Sequence, residues 1–149
     1  MTRSGWGSGV VVAVAMATLG ACASEPAEPS VGPNETIVDA DLTRPFQLRA
    51  GEIAKLDDGL LIAFRRVSND SRCPMDAVCV WTGDATVHLD VTVGRMAWNA
   101  AEVHTHVSPK AASFRDYEIR LVELAPYPQA SQPIPAGEYI AKLEVTRRP

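Results

Sequence analysis

Beyond about residue 42, apolar and polar residues alternate with a period of two, and a helical period is hard to find. The clearest run is Ala85, Val87, Leu89, Val91 and Val93 alternating with Thr86, His88, Asp90 and Thr92. Successive side chains of a strand point to opposite faces, so this run carries one apolar and one polar row, and the apolar row must be covered. Tyr139, Ala141, Leu143 and Val145 alternate in the same way with Ile140, Lys142, Glu144 and Thr146. So do Tyr117, Ile119 and Leu121 with Glu118 and Arg120. Shorter strands are predicted at 46–49, 52–56 and 60–67, with a turn at Asp57-Asp58-Gly59 between the last two. The 60–67 segment is apolar on both faces until Arg65, as expected of a central strand.

A further alternation, Met96 and Trp98 and then Val103, Thr105 and Val107, follows a turn at Gly94-Arg95. Its parity switches. A two-residue hairpin loop pairs Val93 with Met96 and Val91 with Trp98, but the same register would send Glu102 and His104 into the core. One extra residue at Ala100-Ala101, a bulge, restores the pattern and returns the histidines to the polar face. Residues 126–135 cross to the last strand as an irregular loop, because Pro128, Pro133 and Pro135 have no amide hydrogen for a ladder. Seven or eight short strands joined by Gly-, Pro- and Asp-rich turns predict an all-β fold, a single antiparallel β-sandwich or small barrel.

The N-terminus follows a different pattern. Arg3 precedes an apolar stretch over residues 10–19, too short to span a bilayer, which ends in Leu19-Gly20-Ala21-Cys22. This resembles a bacterial lipoprotein cleavage box. The resemblance implies removal of residues 1–21, acylation of the Cys22 thiol and amino group, and membrane attachment through lipid. Residues 22–41 then form the lipidated cysteine and a disordered tether, since Pro26, Pro29 and Pro33 oppose both helix and paired strand. As a flexible coil it reaches roughly 25 Å. The β domain occupies 42–149. Ala23 and Ser24 after the cysteine include no aspartate, which implies an outer-membrane address facing the periplasm in a Gram-negative envelope.

Without residues 1–21 the chain keeps 13 basic and 18 acidic side chains, a formal charge of −5, and no basic stripe with interleaved aromatics. That excludes nucleic acid as an expected partner. Of the three cysteines, Cys22 carries lipid in this reading, leaving Cys73 and Cys79. In an oxidising compartment these form a disulfide, the alternative being two buried free thiols. Five intervening residues rule against a thioredoxin-type dithiol, and no third cysteine is nearby to complete a zinc site.

Residues 70–84, Asp-Ser-Arg-Cys-Pro-Met-Asp-Ala-Val-Cys-Val-Trp-Thr-Gly-Asp, concentrate the unusual residues of the domain. Over residues 64–93 the chain resembles a family of uncharacterised secreted bacterial proteins, many of them lipoproteins. These share a Cys-Pro, a second cysteine, a tryptophan and a glycine before an alternating strand. Cys73, Pro74, Cys79, Trp81 and Gly83 carry the resemblance, which implies no particular activity. Physically, the bridge is a staple worth about 2 kcal/mol, with Trp81 packed on it and Gly83-Asp84 turning the chain into the next strand. The competing reading is a rigid recognition loop that presents Arg72, Met75 and Asp76 to an envelope protein, as inhibitor loops do.

His88, Glu102 and His104 share the polar face in the bulged register and form a candidate zinc or copper site, with His106 farther along. Ser68, Ser71, Ser108 and Ser113 lack a nucleophile-elbow context. Asp57-Asp58 precedes a turn glycine, and Asp39 and Asp41 lie in the tether, so neither pair suggests glycoside chemistry. The expectation is a non-catalytic binding or structural module of the envelope without a cofactor. A metal-binding protein and an inhibitor-like protein-binding module are the alternatives.

Overall fold

A computed structural model of the chain describes residues 35–149. The cleavage site, Cys22 and most of the expected tether lie outside the described residues. Within them are nine strands: β1 (Ile37–Ala40), β2 (Phe46–Arg49), β3 (Ile53–Leu56), β4 (Leu60–Ser68), β5 (Thr86–Val93), β6 (Met96–His104), β7 (Ala111–Phe114), β8 (Tyr117–Ala125) and β9 (Ile140–Arg147). The one helical element among the described residues is a 3-10 turn at Ala136–Glu138. The protein is therefore all-β, with more strands than the seven or eight expected. Two open sheets form, ordered β1-β3-β4-β5-β6 and β2-β9-β8-β7, and neither closes into a barrel.

The predicted alternation does what its period requires. Val87, Leu89 and Val91 of β5 and Ile62 and Phe64 of β4 join Leu48, Ile119, Leu143 and Val145 of the other sheet in one buried cluster. Each such side chain contributes about 1.5–3 kcal/mol by leaving water, which is ample to fix strand register. Trp98 of β6 stacks on Phe114 of β7, ring centroids 6.1 Å apart, and joins the two sheets along one side.

Two bulges adjust the pattern. In β4 the register shifts between Phe64 and Arg66, so Arg65 is an extra residue and Val67 returns to the side of the core. The β6 bulge was expected at Ala100-Ala101. It lies one residue earlier, because Leu89 pairs with Ala101 and Val91 with Trp98, leaving Asn99 and Ala100 opposite Asp90. The cause is local: the Asp90 carboxylate accepts the Ala100 amide at 2.8 Å, and Ala100 takes a positive φ of 60°. Ala101, fully buried, serves the core instead.

Two strands depart from the sequence reading. Residues 37–40, assigned to the tether, form β1 and pair in parallel with β3, from Ile37 with Ile53 to Ala40 with Leu56. This is a correction to the tether boundary and to an entirely antiparallel sheet. The other addition is β7, paired antiparallel with β8.

The topology gives the molecule two distinct ends. At one, β4 leaves its sheet through residues 69–85, β8 passes to β9 through residues 126–139, and β2 turns into β3. At the other lie the β3–β4, β5–β6 and β7–β8 turns. The first is called the loop end below.

Candidate functional site

The disulfide loop continues the β4–β5 hairpin beyond its ladder. Ser71 donates its amide to the Asp84 carbonyl at 2.7 Å and Cys73 donates its own to the Thr82 carbonyl at 2.9 Å, so a two-stranded ribbon projects past the sheets. Cys73 and Cys79 are bridged across its tip, Cα atoms 5.9 Å apart. Gly83 is obligatory here. Its φ is +68°, and a Cβ on it would stand 1.7 Å from the Ser71 carbonyl oxygen, inside the opposite strand of the ribbon.

Arg72, expected as an exposed recognition residue, is instead 3% exposed. Its Nε and Nη2 donate to the two carboxylate oxygens of Asp70 at 2.8 and 2.7 Å, a bidentate fork. Nη1 reaches the Leu124 carbonyl at 2.5 Å and Nη2 the Pro126 carbonyl at 3.0 Å, and the guanidinium lies 5.1 Å from the Tyr127 ring centre. Asp70 also accepts the Tyr139 hydroxyl at 3.0 Å. Burial works against ionising Asp70, but the Arg72 hydrogen bond and charge outweigh it and hold the carboxyl below its ordinary value. Burial, then the same carboxylate, pushes the Tyr139 hydroxyl up to about 12. Arg72 is thus a latch between the disulfide loop and the 126–139 loop, not a contact for a partner.

Met75 and Asp76 complete that junction. The Met75 amide donates to the Pro128 carbonyl at 3.1 Å, and Asp76 accepts the Ala130 amide at 2.8 Å. The loop is fixed at its base by a salt bridge, at its tip by a covalent bond and at its side by backbone bonds.

What this framework presents is apolar. Met75 is 66%, Val78 105%, Val80 97% and Trp81 78% exposed. Trp81, expected to pack on the disulfide, is not buried in doing so. The ribbon has left the sheets, so among the described residues no second layer covers it, and Cys79 is exposed as well. Val78 and Val80 were not singled out from sequence. Their signal was available: an unbroken Ala-Val-Cys-Val-Trp run that closes the disulfide loop and continues past it, where alternation cannot bury every apolar side chain.

The histidines sit as the bulged register requires, with different partners. His88 pairs with Glu102 across β5 and β6, its Nδ1 3.4 Å from Glu102 Oε1. His104 turns away to Asp84, Nδ1 to Oδ2 at 2.8 Å. Burial tends to raise the Asp84 carboxyl, but the His106 amide, the His104 imidazole, the Thr105 hydroxyl and the Val107 amide hold it at about 2. Asp84 therefore ties down the end of β6. Among the described residues no group of three imidazole, thiol or carboxylate side chains could hold a metal ion, and the expected set is divided, His88 meeting Glu102 while His104 meets Asp84.

Ser68 is brought to an unexpected place, its Oγ 2.7 Å from His88 Nε2. Serine, histidine and Glu102 thus stand in the order of an acyl-transfer triad on the outer face of β4, β5 and β6. Burial, then the Arg66 charge, lowers the His88 pKa and keeps the ring neutral. A nucleophile also needs a concave site with oxyanion donors. A cavity of about 530 Å³ is lined by Tyr127, Ile134 and Glu138 in the 126–139 loop, another of about 440 Å³ by Asp41, Arg44 and Phe46, and one of about 150 Å³ by Thr105, His106 and Leu124; none of these includes the three residues. The smallest is below the usual ligand-pocket size. The Ser68–His88 bond reads as a cross-strand polar contact that satisfies a buried imidazole.

Comparison with protein-family models, with curated proteins and with solved structures finds no match for this chain.

Proposed function

We propose that the chain is a lipid-anchored bacterial envelope protein, a β-sandwich acting as a non-catalytic binding module through its loop end. The observation that carries this reading is the covalently closed, braced loop with an apolar tip. Burying Met75, Val78, Val80 and Trp81 in the core would stabilise the domain, yet the fold holds all four in water. Exposed apolar side chains on a rigid platform bind with little ordering cost, which is the physical advantage of inhibitor-like loops. A structural staple alone requires no such tip. The secretion-type N-terminus, the bridged cysteines and the resemblance over residues 64–93 support an envelope location, and the Leu19-Gly20-Ala21-Cys22 segment supports attachment by lipid.

The test places a photoreactive side chain at position 80 in the complete protein within intact envelopes, with position 95 at the opposite end as control. A defined covalent adduct from position 80 and none from position 95 is expected. Equal adducts, or none from position 80, would contradict the reading. Palmitate labelling, lost on Cys22→Ser, checks the anchor separately.

A further inference from the structure

We infer that the occupant of the apolar tip is the interfacial layer of a lipid bilayer, so that the loop end faces the membrane. This rests on the reading of Cys22 as the lipid anchor. Three observations lead to it.

The first is where the chain enters the fold. β1 runs parallel to β3, and β3 antiparallel to β4, so the chain comes into β1 from the direction in which β4 departs for the loop. The Ile53 amide donates to the Thr36 carbonyl at 2.9 Å, and Glu35 meets Arg65 at 2.6 Å. Glu35 is therefore beside the part of β4 nearest the loop end. Thirteen residues lead from Cys22 to Glu35, a span of at most about 45 Å in any conformation. The ribbon from Arg65 to Cys73 rises no more than about 27 Å at 3.3 to 3.4 Å per residue. Lipid on Cys22 can thus lie in the same plane as the loop tip. Turning the opposite end to the membrane would require the chain to run back along the length of β4.

The second is the chemistry of the tip. Between Cys73 and Gly83 the single ionisable side chain outside the disulfide is Asp76, and its carboxylate is bonded to the Ala130 amide. Two valines, a methionine and a tryptophan are the tip's exposed large apolar side chains. Tryptophan and tyrosine favour the bilayer interface, where an apolar ring can carry a polar group. Tyr127, partly exposed, stands beside the loop on the Arg72 guanidinium.

The third is charge. A chain of net negative charge without a basic patch at this end gains nothing from anionic headgroups. Apolar insertion remains, and it is insensitive to salt. Because the acyl chains already hold the protein, the loop sets the orientation of the domain on the surface rather than its retention.

The test uses the acylated protein in phosphatidylcholine vesicles whose acyl chains carry bromine, a contact quencher of tryptophan. Trp81 fluorescence is expected to be quenched equally at low and high salt, and Trp81→Phe removes the quenching while Trp98 remains. Val78→Asp with Val80→Asp is expected to lower the quenching severalfold at an unchanged unfolding midpoint. Protein that carries palmitate but shows no Trp81 quenching would overturn the inference. So would an adduct from position 80 that contains protein and never lipid. The chain from residue 23 onward, titrated with the same vesicles, separates the two readings. Trp81 quenching there without palmitate on the complete protein would leave docking standing and remove the anchor.

Discussion

Arg72 shows how a side chain that looks available in sequence becomes structural. Its guanidinium satisfies Asp70 and two carbonyls at once, so Arg72→Leu strips the largely buried Asp70 carboxylate of its counter-charge, leaving it the Tyr139 hydroxyl, and takes a donor from two carbonyls. Losing one member of a buried pair costs about 3–5 kcal/mol. Urea unfolding is expected to show a loss in that range, and a loss under about 1 kcal/mol would mean the latch is unimportant. Lysine should rescue little, since a single ammonium cannot reproduce the planar fork. Acid acts on neighbouring groups. Asp84 titrates at about 2 when folded against an ordinary 3.8, so its stabilisation is present above pH 3.8 and is lost as pH falls towards 2. Discounted for partial exposure, this amounts to about 1 to 2 kcal/mol, which Asp84→Asn should remove from the pH profile. His88, with a depressed pKa, favours the neutral ring, so stability also declines as pH falls below 6.5. Ser68→Ala should cost about 1 kcal/mol, and a fluorophosphonate should leave Ser68 unlabelled. Labelling of Ser68 would revive an acyl-transfer role.

At the scale of elements, the sequence disclosed what a strong period could disclose. β2, β4, β5, β8 and β9 were legible because their core rows carry large aliphatic side chains, Leu143 and Val145 in β9 for example. β1 was missed because Ile37–Ala40 is four residues long, contains Asp39 and follows a proline-rich stretch. Its pairing comes from β3, each partner sixteen residues away in sequence. β7 was missed because Ala111 and Ala112 give no contrast between faces. The Arg72 latch was illegible for another reason: its carbonyl partners lie more than fifty residues downstream, and backbone acceptors leave no mark in sequence. The cysteine pair, the glycine turn and the His88–Glu102 register were all readable. The ribbon itself carries two expectations. Removing both cysteines by alanine should lower stability by about 2 kcal/mol, the closure term of a short loop, because the tip lies beyond the core. Gly83→Ala should cost more than that, since its Cβ would require the Ser71 carbonyl to move and the ribbon to open. Differential scanning calorimetry on the two variants gives the order; the reverse order would place the strength of the ribbon in the bridge.

On the scale of the whole molecule, the two ends divide the work. One end holds short turns, and the other holds two long loops locked together by Arg72, Met75 and Asp76. The core pins the sheets, the latch pins the loops to the sheets, and the disulfide pins the tip. What results is an apolar surface whose position is set before it meets anything, beside the point where the chain from Cys22 enters. On the proposed function, this surface is covered when the protein is anchored. Oxidative footprinting of Met75 and Trp81, compared between the anchored protein in intact envelopes and the chain from residue 23 in solution, measures this directly. Rapid oxidation of both residues in solution and strong protection in the envelope is the expected result, with the half-buried Trp98 unchanged between the two. Equal oxidation of Met75 and Trp81 in the two settings would contradict the account.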